Sequence, residues 1–107
     1  MMPVLPGPYE ILEMGDGGSL VTTVEKWAEG EMQIHPRDGR DPKTINVVRV
    51  HVPKETKPLF PDYYDLTSQT LTAQLRPLLP TVAGSGRKVR ITKHGFGPKA
   101  RFSVEVI

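Results

Sequence analysis

The sequence predicts a small, mainly β domain with one helix. Short runs of β-branched residues alternate with polar residues, turn-forming residues separate the runs, and helical spacing occurs in one stretch only. The 107 residues include 11 prolines and 10 glycines, which favours short elements joined by turns over a bundle of long helices. This length predicts a single domain, residues 1–107, in which a proline-rich arm at 1–8 precedes a β-barrel at 9–107.

The first predicted element of the barrel is a hairpin. Residues 9–14 and 20–27 are predicted as its two strands, because the second run is rich in β-branched residues. The glycine-rich stretch 15–18 between them is typical of a turn. Residues 32–34 are predicted to pair briefly before a loop at 35–42.

The strongest strand is predicted at residues 44–52, and Pro53 ends it. Successive side chains on a strand point to opposite faces. One face is wholly aliphatic, whereas the other is mixed and is expected to be partly exposed. The aliphatic face consists of Val48, Val50 and Val52, and the mixed face of Ile45, Val47, Arg49 and His51.

One helix is predicted between residues 66 and 75, where apolar side chains recur at helical spacing. Asp65 or Thr67 can cap its first turn. Pro77 limits its far end, because proline cannot donate the backbone hydrogen bond of a helix interior.

The last predicted elements form a second hairpin. Residues 88–93 and 101–107 alternate strictly between apolar and polar side chains, and a glycine-rich turn at 94–99 joins them. The predicted order is therefore β-β-β-α-β-β. This is the order of the OB-fold, a five-stranded, partly open barrel. Other small β-barrels and α+β sheets contain the same ingredients.

Composition excludes several classes of protein. Cysteine is absent, which removes disulfides, thiolate metal ligands and cysteine nucleophiles. The N-terminus has neither the basic start nor the apolar stretch of a secretory signal. No window approaches the roughly 18 apolar residues that span a bilayer. We therefore expect a soluble, cytoplasmic protein without a membrane partner.

Charge is distributed unevenly along the chain. Six of the fourteen Lys and Arg residues lie between residues 87 and 107, where the only acid is Glu105, whereas residues 1–86 hold eight basic and eleven acidic residues. A basic C-terminal hairpin indicates a site for a polyanion. The alternative is a solvated, cation-rich edge that discourages pairing between sheets.

The candidate nucleic-acid-binding residues lie mainly on this hairpin. Lys88, Arg90 and Arg101 are predicted to project from the face opposite the apolar one, with Lys93 and Lys99 beside the turn. Cations spaced about 6–7 Å apart along neighbouring strands match a phosphodiester backbone.

Three further residues extend this candidate site, and each has a structural alternative. Phe96 lies between two glycines, where it can stack on a base or fold back over the end of the barrel. Trp27 is either a core anchor or a stacking platform. Arg49, with His51 on the same strand face, can extend the basic track or pair with carboxylates.

No enzyme activity is predicted. The histidines, His35, His51 and His94, lie on different predicted elements and lack the spacing of a metal site. Residues 15–18 are glycine-rich but lack the lysine and hydroxyl residue of a phosphate-binding loop, and a hairpin turn explains them. We therefore expect neither a cofactor nor a metal ion.

The C-terminal hairpin also carries a recognisable motif. In residues 89–104 a hydrophobic strand with basic residues runs into Gly-x-Gly, a short polar stretch and an alternating second strand. This pattern resembles that of phage-type single-stranded DNA-binding proteins of the OB-fold class. Ala100 departs from the pattern, which usually has threonine there. The matching positions are Lys93, Gly95, Gly97, Arg101 and Phe102.

The resemblance implies sequence-tolerant binding of single strands during replication or recombination, and DNA is favoured over RNA as the partner. The alternative function is a protein-interaction or assembly module without catalytic activity. In that case residues 2–8 and 52–62 would lie across a neighbouring subunit, and the edge of the terminal strand would pair with another chain, which makes a homo-oligomer a further expectation.

Overall fold

A computed structural model describes residues 3–34, 39, 41–95 and 100–107. The prediction of a mainly β chain is confirmed, although the described residues form six strands rather than five, and a second short helix follows the first. No helix in this part of the chain has the length and apolar character that crossing a bilayer requires. The elements are β1 (Ser19–Thr23), β2 (Lys26–Ile34), β3 (Lys43–His51), β4 (Tyr63–Leu66), α1 (Gln69–Leu75), α2 (Leu79–Val82), β5 (Lys88–His94) and β6 (Arg101–Val106).

The strands form two antiparallel sheets of three strands each. The central sheet has the order β2-β3-β4, and the hairpin sheet has the order β1-β5-β6. β2 pairs with β3 along its whole length, from Lys26 opposite His51 to Ile34 opposite Lys43. The brief pairing predicted at 32–34 is therefore the end of a nine-residue strand.

The chain passes from one sheet to the other at a corner between β1 and β2. Only Val24 and Glu25 separate these strands. The Glu25 N–H donates to the carbonyl of His51 at 2.9 Å, and the Gly84 N–H donates to the carbonyl of Val24 at 2.8 Å. The single strand predicted at 20–27 is thus two strands, because this corner turns its second half towards β3.

The N-terminal segment, residues 3–14, corrects two predictions. Residues 9–14 do not form a hairpin with β1, because their backbone pairs with β4: the Asp65 N–H donates to the carbonyl of Glu10, and the Leu12 N–H donates to that of Asp65. The described part of the predicted arm does not project from the domain either. Leu5 and Glu31 join it to the edge of β2 by a hydrogen bond of 2.9 Å.

The N-terminal segment therefore covers both edges of the central sheet. It makes parallel bridges to β2 at Val4–Glu31 and to β4 at Ile11–Asp65. Between these points the Tyr63 hydroxyl donates to the carbonyl of Pro8 at 2.5 Å. The predicted glycine turn is present, with Gly18 N–H bonded to Gly15 O, but it leads from this segment into β1.

β4 ends at Leu66, the residue that was predicted to begin the helix, and includes Asp65, one of its predicted caps. Its four residues pair with β3, and this tertiary pairing overrides the local helix signal. α1 starts at Gln69, and Ser68 is its N-cap, with the Ser68 hydroxyl accepting from the Leu71 N–H. The predicted caps, Asp65 and Thr67, lie before it.

The main core lies between the two sheets and the helices. Its ten buried members are apolar and come from the corner between β1 and β2, from β3, β4 and β5, and from both helices. A smaller cluster of Leu5, Met32 and Val47 lies on the other side of β3. Both faces of β3 are therefore buried in its middle, at Val47 and Arg49 of the mixed face, whereas the predicted partial exposure of that face is found at its ends, where Ile45 and His51 are half-buried. The main cluster contains Val24, Val48, Val50, Leu66, Leu71, Leu75, Leu79, Val82, Val89 and Ile91.

Candidate nucleic-acid interface

The C-terminal hairpin forms as predicted and lies in the hairpin sheet, one face of which is open to solvent. β5 and β6 pair from Val89 opposite Val106 to His94 opposite Arg101. β1 joins the other side of β5, with Val21 opposite Arg90. The side chains that point away from the core form the open face: Ser19, Val21, Thr23, Lys88, Arg90, Thr92, His94, Arg101, Ser103 and Glu105.

Three predicted cations lie together on the open face. Lys88 and Arg90 are two residues apart on β5, and Arg101 lies on β6, all with exposed side chains. Glu105 is the acidic residue of this face, and its carboxylate accepts a hydrogen bond from Arg90 at 2.8 Å. Exposed ion pairs of this kind contribute little stability and break readily. The face carries three positive charges against one negative charge.

Four further polar side chains of the open face lie between or beside the cations, and sequence reasoning did not select them for the site. His94 Nε2 and the Ser103 hydroxyl lie 3.0 Å apart in a hydrogen bond across β5 and β6. Thr92 is opposite Ser103 in the register, and Thr23 is opposite Lys88. The same two-residue alternation that placed the cations on one face would have identified these neighbours.

Lys93 lies on the other face of the hairpin sheet. Its ammonium donates to the carbonyl of Met14 at 2.8 Å, and its side chain is half-buried. The neighbouring Gly95 N–H donates to the Asp16 carboxylate at 2.7 Å. Lys93 therefore fastens the end of the N-terminal segment to the hairpin and is not one of the cations of the open face.

Arg49 does not extend the basic track. It is 5% exposed and faces Asp65, which is 0% exposed, across the β3–β4 ladder. Nε lies 2.7 Å from one carboxylate oxygen and an Nη nitrogen 3.2 Å from the other. Burial by itself lowers the pKa of the Arg49 guanidinium, but the hydrogen bond and charge of Asp65 outweigh burial and raise this pKa above its usual range.

The aromatic neighbours of Arg49 enclose it further. Its guanidinium carbon lies 4.0 Å from the centre of the Tyr63 ring. His51 meets the edge of the same ring at a centroid distance of 5.4 Å. Arg49 thus takes the alternative in which it pairs with a carboxylate, inside the protein rather than at its surface.

Trp27 belongs to the central sheet and lies away from the open face. It is opposite Val50 on β2 and packs, partly buried, against the main core. This position agrees with the anchor interpretation. Phe96 and Lys99, together with Gly97 of the motif, lie outside the described residues, so both alternatives for Phe96 stay predictions.

Two grooves are also present, one on the central sheet and one that reaches the open face at Val21 and Lys88. One, of about 540 Å³, runs between β3 and α1 and is lined mainly by polar side chains, including Asn46, Gln69 and Arg76. Arg76 is bound there to the carboxylate of Glu29. The other, of about 370 Å³, lies between β1 and Pro53–Thr56. The described part of the chain contains no group of three side chains that could hold a metal ion.

Comparison of the chain with protein-family models, with curated proteins and with solved structures finds no match. The function is therefore argued from the geometry of the open face.

Proposed function

We propose that the protein binds single-stranded nucleic acid, DNA in preference to RNA, on the open face of the hairpin sheet. The observation that supports this most directly is the placement of Lys88, Arg90 and Arg101. All three are exposed and lie on one face: Lys88 and Arg90 are about 6–7 Å apart along β5, close to the spacing of successive phosphates, and Arg101, opposite His94, lies about two such intervals further along on β6. Sequence-tolerant binding in the cytoplasm, in replication or recombination, is the role that fits such a surface.

The strand order supports an OB-type barrel as the scaffold. If β1 and β2 are counted as one bent strand shared by the two sheets, and α1 and α2 as one helical region, the order becomes β-β-β-α-β-β. The shared strand then pairs with β3 in one sheet and with β5 in the other. OB-folds bind oligonucleotides and oligosaccharides, which is consistent with the proposed ligand.

The N-terminal segment covers the competing surface on the central sheet and leaves the hairpin sheet accessible to the ligand. In the central sheet, the mixed face of β3 is enclosed: Val47 packs against Leu5, and Arg49 is buried beside Tyr63. On the open face, by contrast, no described residue covers the three cations.

The proposal is tested by fluorescence anisotropy with a labelled single strand of about 20 nucleotides, longer than the site of one OB-fold. DNA, RNA and duplex DNA are compared over a range of salt concentrations. Three phosphate contacts at ~0.7 each predict a slope of log affinity against log salt of about −2. Tight binding that does not respond to salt, or a preference for the duplex, would disprove the mechanism.

Charge variants locate the site. Arg101→Ala is expected to weaken binding several-fold and to reduce the salt slope by about 0.7, because one phosphate contact is lost. Lys26→Ala is the matched control, since it removes the same charge from an exposed position on the central sheet. Equal losses in the two variants would point to net charge rather than to a site.

Phe96→Ala separates the two interpretations of that residue. If Phe96 stacks on a base, affinity falls by the equivalent of about 1–3 kcal/mol while thermal stability is unchanged. If it covers the end of the barrel, stability falls instead.

A second candidate function, an assembly module, is favoured by one specific observation. Leu59 and Phe60 are 78% and 80% exposed and adjacent in sequence. The Lys57 ammonium, itself largely buried, donates to the carbonyls of Leu59 and Pro61 and holds them in place. Paired exposed apolar side chains on a fixed backbone are typical of contacts with a partner protein.

The assembly function is tested with the double variant Leu59→Ser/Phe60→Ser. Loss of a complex seen by light scattering, with unfolding free energy unchanged, would support it. An unaltered mass would reject these residues as the contact.

A further inference from the structure

The edge strands of the two sheets differ in how they are covered. The N-terminal segment pairs with the edges of β2 and β4. β1 lies beside the turn after β3, where the hydroxyls of Thr22 and Thr56 are 2.8 Å apart. α1 packs against β6, and at the edge of that strand Gln74 of α1 donates to the carbonyl of Phe102.

The register shows which backbone groups of β6 point outwards. The Ile107 N–H donates to the carbonyl of Lys88, so the pair 88–107 is a hydrogen-bonded pair. Hydrogen-bonded and non-hydrogen-bonded pairs alternate along an antiparallel ladder, so the pairs Arg90–Glu105 and Thr92–Ser103 are also hydrogen-bonded. The N–H and C=O groups of Phe102, Val104 and Val106 therefore point away from β5. Beyond the contact with Gln74, the described residues give these groups no backbone partner.

The core-facing side chains of β6 are also incompletely buried. On β5, Val89 and Ile91 are 1% and 3% exposed, whereas their partners on β6, Val106 and Val104, are only half-buried. At Val104 and Val106 the strand therefore presents both backbone groups without a partner among the described residues and a partly exposed apolar strip along one edge. Such an edge is a template for another strand.

We infer that β6 pairs with β6 of a second copy of this chain, antiparallel and centred on Val104. A two-fold axis at Val104 places Phe102 opposite the partner's Val106, so that outward groups meet outward groups. On the open face, Arg101 then lies diagonal to the partner's Glu105, at about 7–8 Å between their Cα atoms, which long side chains can bridge. Charge complementarity thus favours a second copy in this register.

The pairing joins the two hairpin sheets into one six-stranded sheet. Lys88, Arg90 and Arg101 of both copies then lie on a single continuous face. The inference does not depend on nucleic-acid binding, because its test is carried out without nucleic acid.

The mass in solution is measured by sedimentation equilibrium on the full chain. We expect a concentration-dependent species of twice 11.9 kDa. Arg101→Glu and Glu105→Arg should each weaken dimerisation several-fold, and the double variant Arg101→Glu/Glu105→Arg should recover it. A monomer at all concentrations up to about 1 mM, the weak end of specific association, would overturn the inference. A dimer whose dissociation constant is unchanged in both single variants would also overturn the inference.

The absence of cysteine in this chain allows a second test that does not depend on stability. In a hydrogen-bonded antiparallel pair the Cα atoms are about 5.5 Å apart, within the range that a disulfide spans. Val104→Cys should therefore cross-link to a covalent dimer under mild oxidation. Val21→Cys, on the exposed edge strand β1, is the matched control. Equal or faster cross-linking of the control would place the contact elsewhere and reject β6.

Discussion

Arg49 and Asp65 face each other across β3 and β4 in a bidentate ion pair that is closed off from solvent. The same carboxylate accepts a hydrogen bond of 2.9 Å from the N–H of Glu10. One buried side chain therefore connects two strands of the central sheet to the N-terminal segment. A charge that is held in this way has no freedom to contact a ligand.

Removing one residue of this pair should destabilise the protein, because the other is left as an unpaired buried charge. Arg49→Met is expected to lower the free energy of unfolding by about 3–5 kcal/mol, measured by urea denaturation. The double variant Arg49→Met/Asp65→Leu should recover part of this loss. Additive losses in the double variant would contradict strong coupling between the two residues.

Gly30 tests the docking of the N-terminal segment. A Cβ at this position would lie 2.5 Å from the carbonyl oxygen of Pro3 and 2.8 Å from Cγ of Leu5. Gly30→Ala should therefore destabilise the protein by about 1–3 kcal/mol through overpacking and should increase hydrogen exchange at the Leu5 amide. Gly15→Ala is the control, since its Cβ would meet no atom within 4 Å. Similar stabilities of the two variants would argue against tight docking.

Ser68 tests the observed start of α1. Its hydroxyl caps the Leu71 N–H at 3.4 Å, a long hydrogen bond. Ser68→Ala should lower the unfolding free energy by about 0.5–1 kcal/mol, the lower part of the range for N-caps. Thr67→Ala, one residue before the cap, should lower the unfolding free energy less, and both variants are measured by thermal denaturation. A larger loss in Thr67→Ala than in Ser68→Ala would instead support the sequence prediction that Thr67 caps the helix.

Glu105 tests the electrostatics of the open face. Glu105→Gln keeps the shape of the side chain but releases Arg90 from its 2.8 Å ion pair. If the open face binds nucleic acid, affinity for a labelled single strand should rise several-fold and the salt slope should steepen. Glu13→Gln, at an exposed position on the N-terminal segment, should have little effect. Unchanged affinity in Glu105→Gln would indicate that Arg90 does not contact the nucleic acid.

The accuracy of the sequence-based predictions depended on how far apart the interacting residues are. The C-terminal hairpin was predicted correctly, because strict alternation sets its faces and its two strands are neighbours in sequence. The placement of Lys88, Arg90 and Arg101 on one face followed from it. Lys93 was placed in the site by its nearness to the turn, although the same alternation sends its side chain inwards.

Long-range pairing explains the predictions that were wrong. Residues 9–14 have the composition of a strand but pair with β4, some 55 positions along the chain. No local pattern shows that Asp65 is the partner of Arg49 rather than a helix cap. The same limit applied to the mixed face of β3, whose cover is supplied by Leu5.

The N-terminal segment also has a consequence for the order of events during synthesis. Its residues leave the ribosome before those of β4, yet the Glu10 amide binds a carboxylate 55 residues later. Leu5 can meet the edge of β2 as soon as Glu31 is available, whereas Glu10 and Ile11 have no partner until Asp65 has been translated. The segment can complete its path across the central sheet only after β4 has emerged, which makes its docking a late step in the maturation of the nascent protein.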